Sequence, residues 1–454
     1  MNDDRIFSIL DLSFVGSGQM RILVENFGII KSANVDIGGY TIFVGDNNSG
    51  KTYLMQLIYG VLDALKFVRF PTTTVPSSSL RALEVNEIVN KWLDESKENI
   101  VFETFKKKIS IASLKIYFEN SEALFSVRQI TAEMYRNMRG EVAARENLTD
   151  NIQSIFAISE NEKINSFCFF YNPNDILSAQ TEMLRSAVDR FVGRRLQGSS
   201  VYLPASRSGL MLTRPFVFAS QKSDGVVVSD EPKSAKGREN IFGLTQPVYD
   251  FLVFLQTHKT SEGRIARNNS LISFINRNII HGEMKKTDNE SFYQPEGSEE
   301  WLPPSITSSM VNEISPVMQI LTSVRDIQYI LYDEIETCQH PTTQVQMAKL
   351  LNRMINAGYR IIVSTHSDTM AVAINNAIAL EKIKDSEEKL DQVGCVRADV
   401  LKKNDIVHAY QFIKSEEGTV VEEVRRHSAI GLNFDFTLFN EANRNLYDTY
   451  QLLK

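Results

Sequence analysis

The sequence predicts an α/β fold, and three places where an apolar strand runs into a polar, chemistry-bearing turn predict it. The first is Tyr40-Thr41-Ile42-Phe43-Val44, followed by Gly45-Asp46-Asn47-Asn48-Ser49-Gly50-Lys51-Thr52. The second is Ile327-Gln328-Tyr329-Ile330-Leu331-Tyr332, followed by Asp333-Glu334. The third is Tyr359-Arg360-Ile361-Ile362-Val363, followed by Ser364-Thr365-His366-Ser367. Short β-branched and aromatic runs of this kind read as buried strands. Open α/β sheets gather their ligands at the carboxyl ends of such strands.

The first junction matches G-x-x-x-x-G-K-[ST], the pattern of a phosphate-binding loop, in the expected strand-to-helix context. Tyr53-Leu54-Met55-Gln56-Leu57-Ile58-Tyr59 has the apolar spacing of the helix that should follow. Gly45 and Gly50 let the backbone curl until successive N–H groups face phosphate oxygens, and the helix N-terminus adds its positive end. Gly45, Asn47, Asn48, Ser49, Gly50, Lys51 and Thr52 are therefore the candidate binding residues. Lys51 is expected to reach the β- and γ-phosphates, and the Thr52 hydroxyl to hold Mg²⁺. The ligand this predicts is a nucleoside triphosphate with its magnesium, that is, ATP·Mg²⁺.

The second junction supplies acids to the same sheet edge. Asp333 is expected in the magnesium shell, and Glu334 at the γ-phosphate, positioning or deprotonating the attacking water. Pro341 suits a first helical position, a helix is expected to run on to Asn356, and Ala357-Gly358 supplies its stop. Strand, helix and strand then form a βαβ unit with a right-handed crossover. That unit brings His366 to the edge that carries Asp333 and Glu334, where a γ-phosphate contact is expected.

Size and charge bound the rest. The 454 residues allow two or three structural units and a large core. A net charge of −7 argues against a surface that is basic all over, so nucleic-acid binding would need a local patch. Arg185, Arg190, Arg194 and Arg195 form either such a patch or the solvated face of a helix over 176–196. Runs such as Phe251-Leu252-Val253-Phe254-Leu255 are too short to span a bilayer, and Met1-Asn2-Asp3-Asp4-Arg5 is unlike a signal peptide. Cys168, Cys338 and Cys395 have no metal-ligand spacing and read as reduced thiols, so a cytoplasmic location is expected.

Together these motifs resemble the ABC-type ATPases of the SMC and overcoming-lysogenization-defect (OLD) group, often labelled AAA-15 or AAA-21 domains. The resemblance rests on Ile22-Leu23-Val24-Glu25-Asn26-Phe27-Gly28 with the Asn-Asn-Ser-Gly-Lys loop, on Asp333-Glu334-Ile335-Glu336 with His340-Pro341, and on Ser364-Thr365-His366-Ser367. It departs at Ile335 and Gln339, where proline and leucine stand in the group, and in the signature turn. The candidate for that turn is Ser305-Ile306-Thr307-Ser308-Ser309-Met310-Val311, with Met310 where a glycine is expected. The resemblance implies a homodimer, or a higher assembly, that sandwiches two nucleotides, with Ser308 and Ser309 reaching the partner's γ-phosphate. Methionine lacks glycine's freedom for φ > 0, which implies that binding survives this change better than hydrolysis and that turnover is slow.

The fold class expected is thus an ABC-type P-loop head with a mixed sheet, plus a mainly helical insertion subdomain. The head would comprise 1–70 and 300–454, and the insertion 71–299, with the strand and turn at 200–210 rejoining the head. Within the insertion we expect a helix over 80–108, a β-hairpin over 109–131 and a helix over 174–196. A polar loop over 219–240 and helices over 242–285 complete it, and no heptad of a coiled coil is sustained. Arg207, in the string Pro204-Ala205-Ser206-Arg207, is either a phosphate or inter-subunit contact or a surface arginine. Ala409–Ile413 and Thr419–Val421 read as a hairpin near the end.

The resemblance extends to stand-alone ATPases of anti-phage systems such as Septu and Septu-like retron modules, where a separate nuclease or toxin is the effector. It implies an ATPase that senses or regulates such a partner. Two other readings are an ATP-dependent DNA clamp of the repair type and a non-hydrolysing ATP-bound scaffold.

Overall fold

The computed structural model describes residues 20–67, 79–80, 82–118, 125–130, 155–160, 169–170, 192, 196, 198–223, 243–286, 291–403, 405–426, 434, 436 and 448–449. Three antiparallel and parallel strands open the described chain: β1 (Met20–Phe27), β2 (Ile30–Asp36) and β3 (Tyr40–Gly45). Helix α1 (Lys51–Phe67) follows the loop after β3. All six residues of β3 are buried, as expected of a strand covered on both faces. Its side chains alternate: Phe43 joins one apolar core, while Tyr40, Ile42 and Val44 join the other.

Helix α2 (Ala82–Phe105) lies within the helix expected over 80–108, and β5 (Ser113–Phe118) comes after it, beyond the short strand β4 (Ser79–Leu80). The hairpin expected over 109–131 does not form. β5 pairs antiparallel with β1, whereas β6 (Phe125–Ile130) pairs with β4 and β7 (Ile155–Glu160). With β8 (Phe169–Phe170), these make a separate four-stranded antiparallel sheet. Alternation alone marks a strand without naming its partner, and here tertiary pairing overrides sequence proximity. The exposed edge of β5 is covered by α2: Asn90 accepts from Ile116 N (2.7 Å) and donates to Ile116 O (2.9 Å), and Asn86 accepts from Phe118 N (3.0 Å). Side-chain amides thus stand where another strand would pair.

The chain returns to the main sheet as β9 (Ser199–Leu203), then forms α3 (Arg207–Ser223) and α4 (Gln246–Thr257). Residues 219–223 of the expected loop are therefore helical, and 224–240 lie outside the described residues. The helix expected over 174–196, with its arginines, also lies outside them apart from Val192 and Leu196. Helices α5 (Glu262–Arg267) and α6 (Asn269–Ile275) lead into a π-turn, Asn276–Ile280. The last part of the helical stretch expected to 285 is instead strand β10 (Gly282–Lys286), paired with β11 (Ser291–Pro295).

Helix α7 (Ser309–Thr322), β12 (Ile327–Tyr332), α8 (Pro341–Asn356), β13 (Arg360–Thr365) and α9 (Asp368–Ala379) follow in order. After the short helix α10 (Glu387–Gln392), β14 (Val407–Ser415) and β15 (Gly418–Glu423) form the expected hairpin. The nine-stranded sheet runs β5-β1-β2-β15-β14-β3-β13-β12-β9. Strands β14, β3, β13, β12 and β9 are mutually parallel, and antiparallel pairs flank them, so the sheet is mixed. The fold is α/β, with helices on both faces. Within 71–299, β5 and β9 join the head's sheet, and α2, α4 and α6 pack into its cores.

Candidate nucleotide site

Parallel pairing puts four strand ends side by side. Val44 pairs with Thr365, Tyr332 with Val363, and Tyr332 with Leu203. One or two residues further on stand Gly45, His366, Asp333 with Glu334, and Pro204. Groups as far apart as Gly45 and His366 in the chain thereby share one sheet edge, as ligand sites of open α/β sheets do. A cleft of about 730 Å³ opens there, lined by Ile29, Asn47 to Tyr53, Glu334 and His366.

The loop after β3 is wound tightly. Gly50 has φ +98° and Asn48 φ +58°, a region open to glycine and tolerated by asparagine. Lys51 is only 7% exposed, and its Nζ donates to Gly45 O (2.7 Å) and Asp46 O (2.8 Å). Burial lowers its pKa, against the opposing pull of Asp333, Glu334, Glu336 and Asp46. The ammonium is thus held at the loop's centre by carbonyls that an incoming phosphate can replace. Lys414 of β14 donates to Asn47 O (2.5 Å), a second cation beside the loop that no local pattern announced.

Asp333 is fully buried. Ser364 Oγ donates to one carboxylate oxygen, and Tyr202 OH donates to the other at 2.8 Å. Gln56 Nε2 donates to the Tyr202 hydroxyl in turn (3.3 Å). Asp333 consequently does not line the cleft, whereas Thr52 is exposed within it. Among the described residues no cluster of three or more His, Cys, Asp or Glu could cage a metal ion. This donor set fits a hard cation that brings phosphate and water ligands of its own, as Mg²⁺ does. Thr52 and Asp333 are the residues that would hold it.

Glu334 adopts φ +44°, a left-handed backbone that turns its side chain out of the strand and into the cleft. Its N–H donates to Ser364 Oγ (2.8 Å). Burial first, then the charges of Asp333 and Glu336, raise its pKa, while His366 and Lys51 pull it down. A half-buried carboxyl tuned upward is the environment of a general base. His366, 38% exposed, places Nδ1 3.1 Å from Glu336 Oε1, and its backbone N–H donates to the same oxygen (2.9 Å). With one ring nitrogen so engaged, the other is left for the cleft.

The remaining expectations fare differently. Ser308 and Ser309 are exposed and do not line this cleft; Ser308 caps α7 by accepting from Val311 N (3.3 Å). Met310 lies in the first turn of α7 and packs against the core, so its backbone is helical and does not call on glycine's freedom. Arg207 is neither a surface residue nor a phosphate contact. It is fully buried, with Nη1 donating to Pro204 O (2.7 Å) and Asp333 O (2.6 Å). Tyr202, Gln56, Ser364, Glu336 and Arg207 are thus the residues behind the site that pattern reading did not assign.

Residues 20–199 match the family AAA_15, described as AAA ATPase domain. The matched stretch contains the loop at Gly45–Thr52 and supports an ATP-binding ATPase. No curated protein matches the chain. Among solved structures, an SMC head bound to the C-terminal winged-helix domain of ScpA is 11% identical, covering 90% of this chain and 98% of its own, with a TM-score of 0.38. The SMC head domain from Thermotoga maritima is 11% identical, covering 90% and 99%, with a TM-score of 0.33. A Pyrococcus furiosus Smc head with an extended coiled coil, bound to the C-terminal domain of ScpA, gives 11% identity, 95% and 99% coverage, and 0.33. The α/β assignment rests on the strand order itself. No helix among the described residues is long and apolar enough to cross a membrane.

Proposed function

We propose that the chain is an ABC-type ATPase that binds and hydrolyses ATP with Mg²⁺. The observation that carries this reading is the convergence of the Lys51 loop, Glu334 and His366 on one cleft at the end of parallel strands. Loop N–H groups and Lys51 bind the phosphates, Glu334 accepts a proton from the attacking water, and His366 contacts the γ-phosphate. Mg²⁺, held by Thr52 and Asp333, would offset charge on the phosphate oxygens. Water adds to the γ-phosphorus as its bond to the bridging oxygen breaks, giving ADP and phosphate.

Asn47, Asn48 and Thr52 of the cleft are exposed, and Ser308 and Ser309 stand exposed elsewhere at the N-terminus of α7. Both features suit a homodimer in which that helix start meets the partner's nucleotide. We further propose, on the motif resemblance, that ATP-driven closure regulates a separate effector, a nuclease or toxin of an anti-phage system. Nucleotide-dependent assembly would create or hide the effector's docking surface. The test is affinity purification of tagged Glu334→Gln protein from its host. A retained nuclease or toxin supports the regulator. Recovery of DNA and repair proteins alone would replace it with a DNA clamp, and a wild-type protein that binds but never hydrolyses ATP would replace it with a scaffold.

A further inference from the structure

The turn that carries Asp333 and Glu334 is held from behind by a buried ion pair. Arg207 and Glu313 are 0% and 1% exposed, and Arg207 Nε lies 2.6 Å from Glu313 Oε2. The rest of the guanidinium grips backbone: Nη1 donates to Pro204 O and Asp333 O, and Nη2 to Glu334 O (3.2 Å). Its Cζ lies 4.6 Å from the centre of the Tyr332 ring. Glu313 belongs to α7, and its other oxygen accepts from Ser208 N (2.9 Å) and Ser208 Oγ (2.7 Å). Ser208 Oγ is also 3.1 Å from Ser309 O, in the first turn of α7.

Glu334 needs such support. A left-handed backbone at a non-glycine residue costs about 1–3 kcal/mol and persists only where its surroundings over-determine it. Here Ser364 fixes the Glu334 N–H, Thr337 donates to its carbonyl through N (3.1 Å) and Oγ1 (2.8 Å), and Arg207 donates to it as well. Only a planar fork reaches two successive carbonyls and a carboxylate together; an ammonium presents a point charge. A buried ion pair contributes little to stability compared with apolar packing, so its effect here is geometric.

We propose that Arg207 and Glu313 are a positioning pair that locks the Asp333–Glu334 turn in its working geometry and ties it to the start of α7. The catalytic consequence rests on the ATPase reading above. The helix start expected to meet a partner's nucleotide is thereby joined, through Ser208 and Glu313, to the backbone that aims the base at this subunit's own nucleotide. Movement of one end displaces the other.

The experiment compares Arg207→Lys, Glu313→Gln and the double variant with wild type. It reads amide hydrogen exchange without nucleotide, ATP·Mg²⁺ affinity, and kcat with KM. Loss of one or two charge-assisted bonds should speed exchange across 333–337 by about 10-fold or more, leaving β3 and β13 protected. ATP affinity should stay within about 3-fold, kcat should fall on the order of 10- to 100-fold, and the double variant should lose little more than either single one. Wild-type exchange and kcat in both single variants would overturn the proposal, as would exchange accelerated equally over the whole sheet. If Arg207→Lys does not fold, Glu313→Gln carries the same readings. A wild-type protein without ATP turnover defeats the ATPase reading instead, and the exchange arm still decides whether the pair locks the turn.

Discussion

Replacing Tyr202 with phenylalanine isolates one bond behind the site. The ring stays, no cavity larger than a hydroxyl opens, and what is lost is the 2.8 Å bond to the fully buried Asp333 carboxylate, with the 3.3 Å bond from Gln56. A hydrogen bond to a charged group is worth about 1.5–3 kcal/mol, and the longer neutral one about 0.5–1.5. Ser364 still serves the other carboxylate oxygen, so the expected loss is in the lower part of the combined range, about 2–3 kcal/mol. The assay is urea unfolding of the nucleotide-free protein, with Tyr117→Phe as an exposed control expected to stay within about 0.5 kcal/mol. The magnesium concentration needed for half-maximal turnover should also rise, because Asp333 is no longer held in place. A Tyr202→Phe protein as stable as the control would refute the reasoning: Asp333 would not then depend on this hydroxyl.

Lys51→Met removes a charge-assisted phosphate contact worth about 2–3 kcal/mol, so ATP affinity should fall about 30- to 140-fold by equilibrium titration while the fold is retained. Gly50→Ala puts a Cβ at φ +98°, a strain of about 1–2 kcal/mol, and 3.2 Å from Ile29 Cδ1; weaker ATP binding is expected, and unchanged binding would count against the loop geometry. Because the Glu334 pKa is raised above 4.5 and the base acts ionised, kcat should fall as pH drops through that raised value, at a higher pH than for an ordinary glutamate. Glu336→Gln removes one of the charges that raise it, so this acid limb should move to lower pH; a limb that stays put would argue against Glu334 as the titrating group.

Much of the site was legible because each part is a local string at a strand end. Gly45 to Thr52, Asp333-Glu334 and His366 each announce themselves within a few residues, and parallel pairing does the rest. What supports them was not legible. Tyr202 meets Asp333 across 131 residues of chain, and Ser208 meets Glu313 across 105, contacts that no periodicity encodes. Arg207 read as either a phosphate or inter-subunit contact or a surface arginine, because arginine is rarely buried; its partners on α7 and β12 make burial possible. The same limit explains the missing hairpin over 109–131. β5 has the burial pattern of a half-buried strand, yet the chain pairs it with β1 and not with its sequence neighbour. The hairpin at 407–423 was legible because the tight turn between Ser415 and Gly418 makes sequence neighbours the pairing partners.

The measurement that bears most directly on the account is the identity of the nucleotide retained after incubation with ATP and Mg²⁺, in wild type, Lys51→Met and Glu334→Gln. The account predicts ADP on wild type, no nucleotide on Lys51→Met, and unhydrolysed ATP on Glu334→Gln. A Glu334→Gln protein that turns ATP over at the wild-type rate, or a wild type that holds no nucleotide, would contradict it.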